Sequence, residues 1–490
     1  MRRGVSASVL LASAPALYHA SALRGIRGTW VLPRQPWKES ELSTLLSRKW
    51  PGIPILLLAL AICEVALLNI PGTGDTGSRL LDMATARKFG ILEAYPITVD
   101  VGVHNDRGID LWKNDAPKRA NASLGSVRPV LGPVEPGNYN SINRATYPPL
   151  GTMFLGVIAK VADLLDVSDL KAFKISLALF LLGSASVMAF WQGGWRPALG
   201  LATFLALGFN SIMLAYTDIY CVFFFLLAFW CLERQYLSMG GCFFVISFLV
   251  KWQPVILTPL VAIYLLFQNT NGKYSTIALR LWRFVPGLVV LSITFLLFGK
   301  YPILAIIRGG HDDVVSGHGL NFNWLYTAVF EVMNDTLWRG LVHTLVPFTS
   351  HPFVYYVSRP LGILMYMASL IWYFFSDRSL ISLVRACLVC FLAYFTFWSG
   401  VHENHLMVAV ALGICWAAVD RARILEAILL ALFCDLNMYI FEGAEGNGIS
   451  IPTIVGWDVT VYLALFNVLF ALFLLGEMLL CGRTRVKRTT

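Results

Sequence analysis

The residues of this chain that could do chemistry are carboxylates, one lysine and a histidine–glutamate turn, all set between apolar runs. Asp75 stands in Gly74-Asp75-Thr76-Gly77 just past the first such run, and Asp82 follows seven residues later, on the same face if the segment is helical. A carboxylate held at a membrane surface can act as a general base toward an attacking hydroxyl. An acid near a helix start can equally serve as its cap. Asp218, in Tyr216-Thr217-Asp218-Ile219-Tyr220, opens another apolar run, and Lys251, in Lys251-Trp252-Gln253-Pro254, stands where two runs meet. A charge at membrane depth is costly and is paired, lines a polar cavity or snorkels, so Lys251 suits a phosphate or the interface. Arg308-Gly309-Gly310-His311-Asp312-Asp313 and Asn321-Phe322-Asn323-Trp324 follow, and His402-Glu403-Asn404-His405 sets four polar side chains in one turn. The His402/His405 spacing could hold a metal but is not the helical HExxH of zinc proteases. Arg308 and His402 are better suited to donate to phosphate oxygens. Tyr147-Pro148-Pro149 forces an extended bend, either a rigid turn or the mouth of a groove.

These residues must be positioned by membrane helices. The 490 residues are 57% hydrophobic and only 14% charged, with a mean hydropathy of +0.66. Soluble domains carry about 45–50% apolar and about 25% charged residues. The composition therefore excludes a soluble enzyme, a disordered chain and a disulfide scaffold, and predicts an all-α polytopic membrane protein. The net charge of +9 reflects basic cytosolic loops rather than nucleic-acid binding. Apolar segments fall near 53–70, 172–191, 196–214, 218–233, 237–250, 254–268, 284–299, 357–376, 381–398, 405–419, 423–440 and 458–480, about twelve spans in all. Segment 151–166 is amphipathic, interrupted by Lys160, Asp163 and Asp166, and is expected to lie in the interface.

Basic residues orient this map. With both termini cytosolic, Arg234, Lys273, Arg280, Arg283, Arg378, Arg385, Arg421 and Arg423 fall on the cytosolic side with both tails, while 215–217, 399–404 and 441–457 hold no Lys or Arg. The chain then reads as a cytosolic tail (1–50), a transmembrane module (51–480) and a basic cytosolic tail (481–490). The polar loop 71–150 and the loop 300–356 face outward, and loops of that length are usually functional. The sequons at Asn121 and Asn334 fall on them, which suits the endoplasmic reticulum; a bacterial inner membrane is the other setting. All nine cysteines lie in or beside apolar stretches, so Cys387 and Cys390 read as core residues rather than a metal pair.

The order of these signals resembles the GT-C superfamily of polyprenyl-phosphate-sugar-dependent glycosyltransferases. It is most similar to endoplasmic-reticulum glucosyltransferases that use dolichyl-phosphate glucose and to mannosyl-transferring members. Gly74-Asp75-Thr76-Gly77 resembles the family's GD(Y/F)E-like motif without its second acid, and Thr146-Tyr147-Pro148-Pro149-Leu150-Gly151-Thr152 resembles DYPPLTAY. The stretch from Arg308 to Trp324 resembles RGLFEDKVANFW, and Val401-His402-Glu403-Asn404 resembles VHEK with Asn for Lys. The resemblance implies a hexose transfer from a dolichyl or undecaprenyl phosphate sugar to a lipid-linked or glycolipid acceptor on the outer side, with inversion. Asp75 would be the catalytic base, and Asp82, Tyr147, Asp218, Lys251, Arg308, Asp313, His402, Glu403 and His405 would line the substrate site. Arg308, His402 and Lys251 would offset the phosphate charge. No cofactor and no metal are expected, and the partners are the donor, the acceptor and membrane lipids.

A lipid-linked-sugar flippase or secondary transporter is the reading from another class, and it suits twelve spans and a cavity at Asp218 and Lys251. The long outer loop after the first span and the lack of matching halves speak against it. A polysaccharide polymerase would share the lipid-linked substrates and outer site.

Overall fold

The computed structural model describes residues 72–100, 147–193, 196–268, 277–309, 315–333, 353–443, 453–454 and 457–486, with the single positions 68 and 70. All belong to the unit that runs from Ile62 to Thr490. The predicted first span near 53–70 and the predicted tail 1–50 lie almost wholly outside the described residues, whereas the last helix continues through 481–486, into the segment expected as a C-terminal tail.

Two helices, α1 (Gly74–Phe89) and α2 (Ile91–Asp100), open the described chain. They fall in the segment expected as a polar outer loop, so its described stretch from Gly74 to Asp100 is helical, broken only at Gly90, rather than irregular. Gly90, at φ +95°, separates them, a conformation that L side chains rarely adopt. Next come α3 (Pro149–Leu165), α4 (Asp169–Ala189), α5 (Pro197–Gly208), α6 (Asp218–Glu233), α7 (Leu237–Val250), α8 (Thr258–Phe267) and the short α9 (Ile277–Trp282). The second half holds α10 (Val285–Phe298), α11 (Tyr301–Gly309), α12 (Phe322–Met333), α13 (Arg359–Phe375), α14 (Leu380–Phe397), α15 (Met407–Val419), α16 (Ile424–Glu442) and α17 (Val459–Val486). A two-residue antiparallel pair, β1 (Thr453–Ile454) with β2 (Trp457–Asp458), precedes α17.

Local sequence sets these boundaries. Proline occupies the first turn of α3, α5, α10 and α13, where its missing N–H costs nothing. Ser168 and Ser379 accept hydrogen bonds from Lys171 N and Ser382 N, capping α4 and α14. Each apolar segment predicted beyond the first coincides with a helix. Five helical stretches are long and apolar enough to cross a membrane among the described residues: Asp169–Ala189, Val354–Phe375, Leu380–Phe397, Arg421–Glu442 and Val459–Leu480. Those of α5, α7, α8 and α15 are shorter, and α10 with α11 is bent by 97° at Gly299–Lys300. The protein is thus a helical membrane protein.

Successive helices joined by short turns pack side by side: α4 on α5, α6 on α7, α13 on α14 and α15 on α16. Close approach is bought by small residues. A Cβ at Gly200 would lie 2.9 Å from Ala185 O, joining α5 to α4, and one at Gly413 would lie 2.7 Å from Leu430 in α16. Helices α14 and α15 are buried along most of their length, with Cys387, Leu388, Cys390, Phe391, Leu392 and Phe395 of α14 fully buried. Helix α3 buries Thr152, Leu155, Gly156, Ala159 and Ala162 against its neighbours and exposes Lys160, Leu164 and Leu165. That one-sided burial is the amphipathic pattern read from the sequence.

Polar contacts gather at the two ends of these helices. At one end Arg423 pairs with Glu426 (2.8 Å) and Glu477, and Arg385 with Glu477 (3.4 Å). At the other, the ends of α5, α7 and α14 and the starts of α6 and α15 meet. Asp218, Lys251 and the His402–His405 turn named in the sequence reading stand there.

Candidate functional site at one end of the helices

The site is built around an irregular connection between α5 and α6. Phe209–Met213 forms a π-helical turn, and Ala215 takes the left-handed conformation at φ +61°. Such segments expose carbonyls and are frequent at functional sites. Lys174, fully buried on α4, answers two of those carbonyls: its Nζ donates to Ile212 O (2.7 Å) and Met213 O (3.4 Å). The next carbonyl, Leu214 O, accepts from Thr73 N (3.2 Å) and so docks the start of α1 beside Tyr216 and Asp218. Gly72 permits this, since a Cβ there would lie 2.8 Å from Ala215 Cβ and 2.5 Å from Thr76 Oγ1. Asp75 is the second residue of α1, where the helix dipole favours negative charge.

The far end of α1 is fixed as firmly. Arg87 donates to Asp163 on α3 (2.9 Å), to Asp169 at the start of α4 (2.6 Å) and to Ala159 O (3.1 Å). Burial alone would lower the Arg87 pKa, but Asp169 and Asp163 hold it above the ordinary guanidinium value. The helix that begins at Gly74-Asp75 is therefore pinned at both ends.

Lys251, directly after α7, places Nζ 2.5 Å from Asp218 Oδ2 at the start of α6. The two side chains are 4% and 2% exposed, so Lys251 does not snorkel to the interface. Asn404 Nδ2 approaches the same Asp218 oxygen at 3.4 Å. Next to it, Tyr216 OH donates to Glu403 Oε1 (2.8 Å), and His402 Nδ1 lies 3.9 Å from Glu403 Oε2. Asn437 on α16 holds the turn from behind, donating to Glu403 O (2.9 Å) and accepting from Leu320 N (2.8 Å). His405 meets Tyr394 OH at 3.0 Å through Nδ1. His402 stands out as 46% exposed by its side chain.

Tyr147, just before α3, joins this group to α1. Its ring lies 4.1 Å from the Arg79 guanidinium carbon and 5.5 Å from Lys251 Nζ, and Arg79 donates to Asp82 (3.1 Å). Gly151 lets α3 begin close to α7, since a Cβ there would lie 2.8 Å from Val250 O.

The segment Asn321-Phe322-Asn323-Trp324 has a different part. Asn321 donates to Phe395 O (2.9 Å), and Asn323 to Trp398 O (2.8 Å) and Phe397 O (3.3 Å). These are the carbonyls that the end of α14 leaves without helical partners. Trp324 Nε1 donates to Thr460 Oγ1 (2.9 Å) on α17. Just upstream, Gly317 N and Gly319 N donate to Val401 O (3.1 and 3.2 Å), tying this loop to the His402 turn. A Cβ at Gly317 would lie 2.8 Å from His402 Nδ1.

Of the residues expected in the substrate site, the structure brings Asp82, Tyr147, Asp218, Lys251, His402, Glu403 and His405 into this one region, with the start of the Asp75 helix against it. Arg308 is on α11, which packs against α2 through Ala305 and Tyr95, in one cluster with Phe298 of α10. Asp313, with His311 and Asp312, lies outside the described residues, as do both sequons. Among the described residues, no group of three His, Cys, Asp or Glu side chains is arranged to hold a metal ion.

Sequence reading missed Arg79, Lys174, Arg359, Tyr216 and Asn437. Lys174, Arg359 and Asn437 are polar residues inside apolar runs, a signal that by itself marks a pathway or a partner. Arg359 lies in the first turn of α13, donates to Ser399 Oγ (2.8 Å) and rests over the rings of Trp398 (4.9 Å) and Tyr355 (5.2 Å). Comparison of the chain with protein families and with curated proteins gives no match.

Proposed function

We propose that this protein is an integral membrane glycosyltransferase of the GT-C type. It moves a hexose from a polyprenyl-phosphate sugar to a lipid-linked or glycolipid acceptor, with inversion, on the lumenal or periplasmic face. Both termini are cytosolic in this reading. The observation that carries it is the docking of the α1 start on Leu214 O, immediately before Tyr216 and Asp218, which in turn contact Glu403 and Asn404. A pinned helix start that carries Asp75 in its first turn, a buried lysine–aspartate pair and an exposed histidine are thus grouped at one end of apolar helices.

Asp75 takes the acceptor hydroxyl's proton as that oxygen attacks the anomeric carbon, and the phosphate leaves carrying the bonding electron pair. A phosphate ester needs little protonation to leave, so one carboxylate suffices, unlike the paired carboxylates of glycoside hydrolysis. Arg308 and His402 supply positive charge or hydrogen bonds to that phosphate. Lys251, already paired with Asp218, serves instead to hold Asp218 and the Asn404 turn in place. The buried Asp218–Lys251 pair is also what a carrier of lipid-linked sugars would use as a charge relay.

The test is transfer by the purified protein in lipid nanodiscs, with a panel of polyprenyl-phosphate hexoses and lipid-linked acceptors. A product of inverted anomeric configuration supports the enzyme. No transfer with any donor, while labelled lipid crosses protein-containing liposomes, replaces it with the carrier.

A further inference from the structure

A second cationic position stands at the Ser399 end of the 399–404 turn, whose other end, at Asn404, approaches the Asp218–Lys251 pair. Arg359 follows a π-helical turn, Val354–Ser358, that widens the start of α13. Its guanidinium carbon lies 4.9 Å from the Trp398 ring centre and 5.2 Å from that of Tyr355. Its Nη2 donates to Ser399 Oγ at 2.8 Å, and Ser399 opens the turn that leads to His402 and Glu403. Ser358, one residue earlier, donates to Phe397 O (2.6 Å), and Asn323 donates to Trp398 O, so the backbone carrying Trp398 and Ser399 is held from two sides.

The setting is that of a membrane–water boundary. Tyr355 and Tyr356 are 53% and 80% exposed beside a long apolar helix, and Tyr and Trp are enriched where lipid headgroups lie. A cation there is expensive unless something offsets its desolvation. The flanking rings hold the guanidinium in place, and an anion meets it at an N–H edge, along the Ser399 side. That edge fits the oxygens of a phosphate, which a planar fork of N–H donors binds better than a point charge does.

We propose that Arg359, with Ser399 and the flanking rings of Tyr355 and Trp398, forms the subsite for the phosphate of a polyprenyl-phosphate lipid. The assignment rests on the glycosyltransferase reading for the identity of that lipid and adds a residue to which that reading gave no role. It puts the phosphate at the Ser399 end of the turn, with the exposed His402 between it and Asn404, which approaches Asp218.

The test is equilibrium binding of dodecaprenyl phosphate to the purified full-length protein, followed by native mass spectrometry, for wild type, Arg359→Gln, Arg359→Lys and Trp398→Leu. Inorganic phosphate and phosphatidylglycerol serve as competitors. The expected result is a loss of affinity of about tenfold or more for Arg359→Gln, the loss of a charge-assisted hydrogen bond. Arg359→Lys should recover only part, and Trp398→Leu should weaken binding with the charge intact. Unchanged affinity in Arg359→Gln and Trp398→Leu overturns the proposal. Competition by phosphatidylglycerol as strong as that by the prenyl phosphate overturns it too, making Arg359 a general lipid anchor. Competition by inorganic phosphate alone, at equal concentration, would show that the prenyl chain adds nothing, and would also count against it. If Arg359→Gln does not fold, the other two variants decide. Binding through Arg359 without sugar transfer by wild type would refute the glycosyltransferase reading and leave the subsite standing.

Discussion

Replacing Lys251 by methionine should destabilise the protein far more than replacing both members of its ion pair. Both side chains are almost fully buried, with a 2.5 Å separation. Removing one partner from a buried pair leaves the other charge uncompensated and costs about 3–5 kcal/mol, whereas apolar replacement of both is often close to neutral. Asn404 lies 3.4 Å from Asp218, too long to offset much of that loss. The single variants Lys251→Met and Asp218→Leu should each fall in the range of about 3–5 kcal/mol. The double variant should retain most of the wild-type stability, giving a coupling energy of at least about 2 kcal/mol. Unfolding followed by tryptophan fluorescence in one detergent across the four proteins measures this cycle. Additive losses would refute the reasoning, because they would mean that the two charges do not stabilise each other.

Three further outcomes follow from named contacts. Arg87→Met removes the link between α1, α3 and α4; with Asp163 a third exposed, the loss should be about 2–3 kcal/mol, read as a lower unfolding midpoint. Asn437→Leu leaves a buried N–H of Leu320 and carbonyl of Glu403 without their shared partner and should cost about 2–4 kcal/mol. Gly317→Ala presses a methyl group on the His402 ring, so its effect on sugar transfer should match that of His402→Ala and add nothing in the double variant. Independent, additive defects would show that Gly317 acts elsewhere.

Helix positions were legible because long apolar runs admit little else, and α6 and α7 begin and end where the sequence placed them. Helices α1 and α2 were not read as such. Gly74, Gly77, Thr76 and Ser78 give the start of α1 a polar, flexible composition, and its burial comes from Leu80, Met83 and Ala86 rather than a long apolar run. The polar residues gathered at one end of the helices were legible as a set, since the alternation of basic loops placed them on one face. Which of them touch was not. Asp218 and Lys251 are 33 residues apart, and only the packing of α6 on α7 sets their distance. The segment around Asn321 shows the same limit: it entered the sequence reading as part of a resemblance to a family motif, while its amides satisfy the carbonyls at the end of α14. Lys174 and Arg359 carried the right signal, a charge inside an apolar run, but their partners at 212–213 and 398–399 are set only by the fold.

The most direct measurement of the central claim is single-turnover sugar transfer by Asp75→Asn beside wild type, with donor binding measured on the same preparations. The amide keeps the shape and removes the base, so transfer should fall by about 100-fold or more while donor affinity stays within about twofold. Transfer at the wild-type rate would show that Asp75 is not the base and would take away the residue on which the proposed mechanism turns.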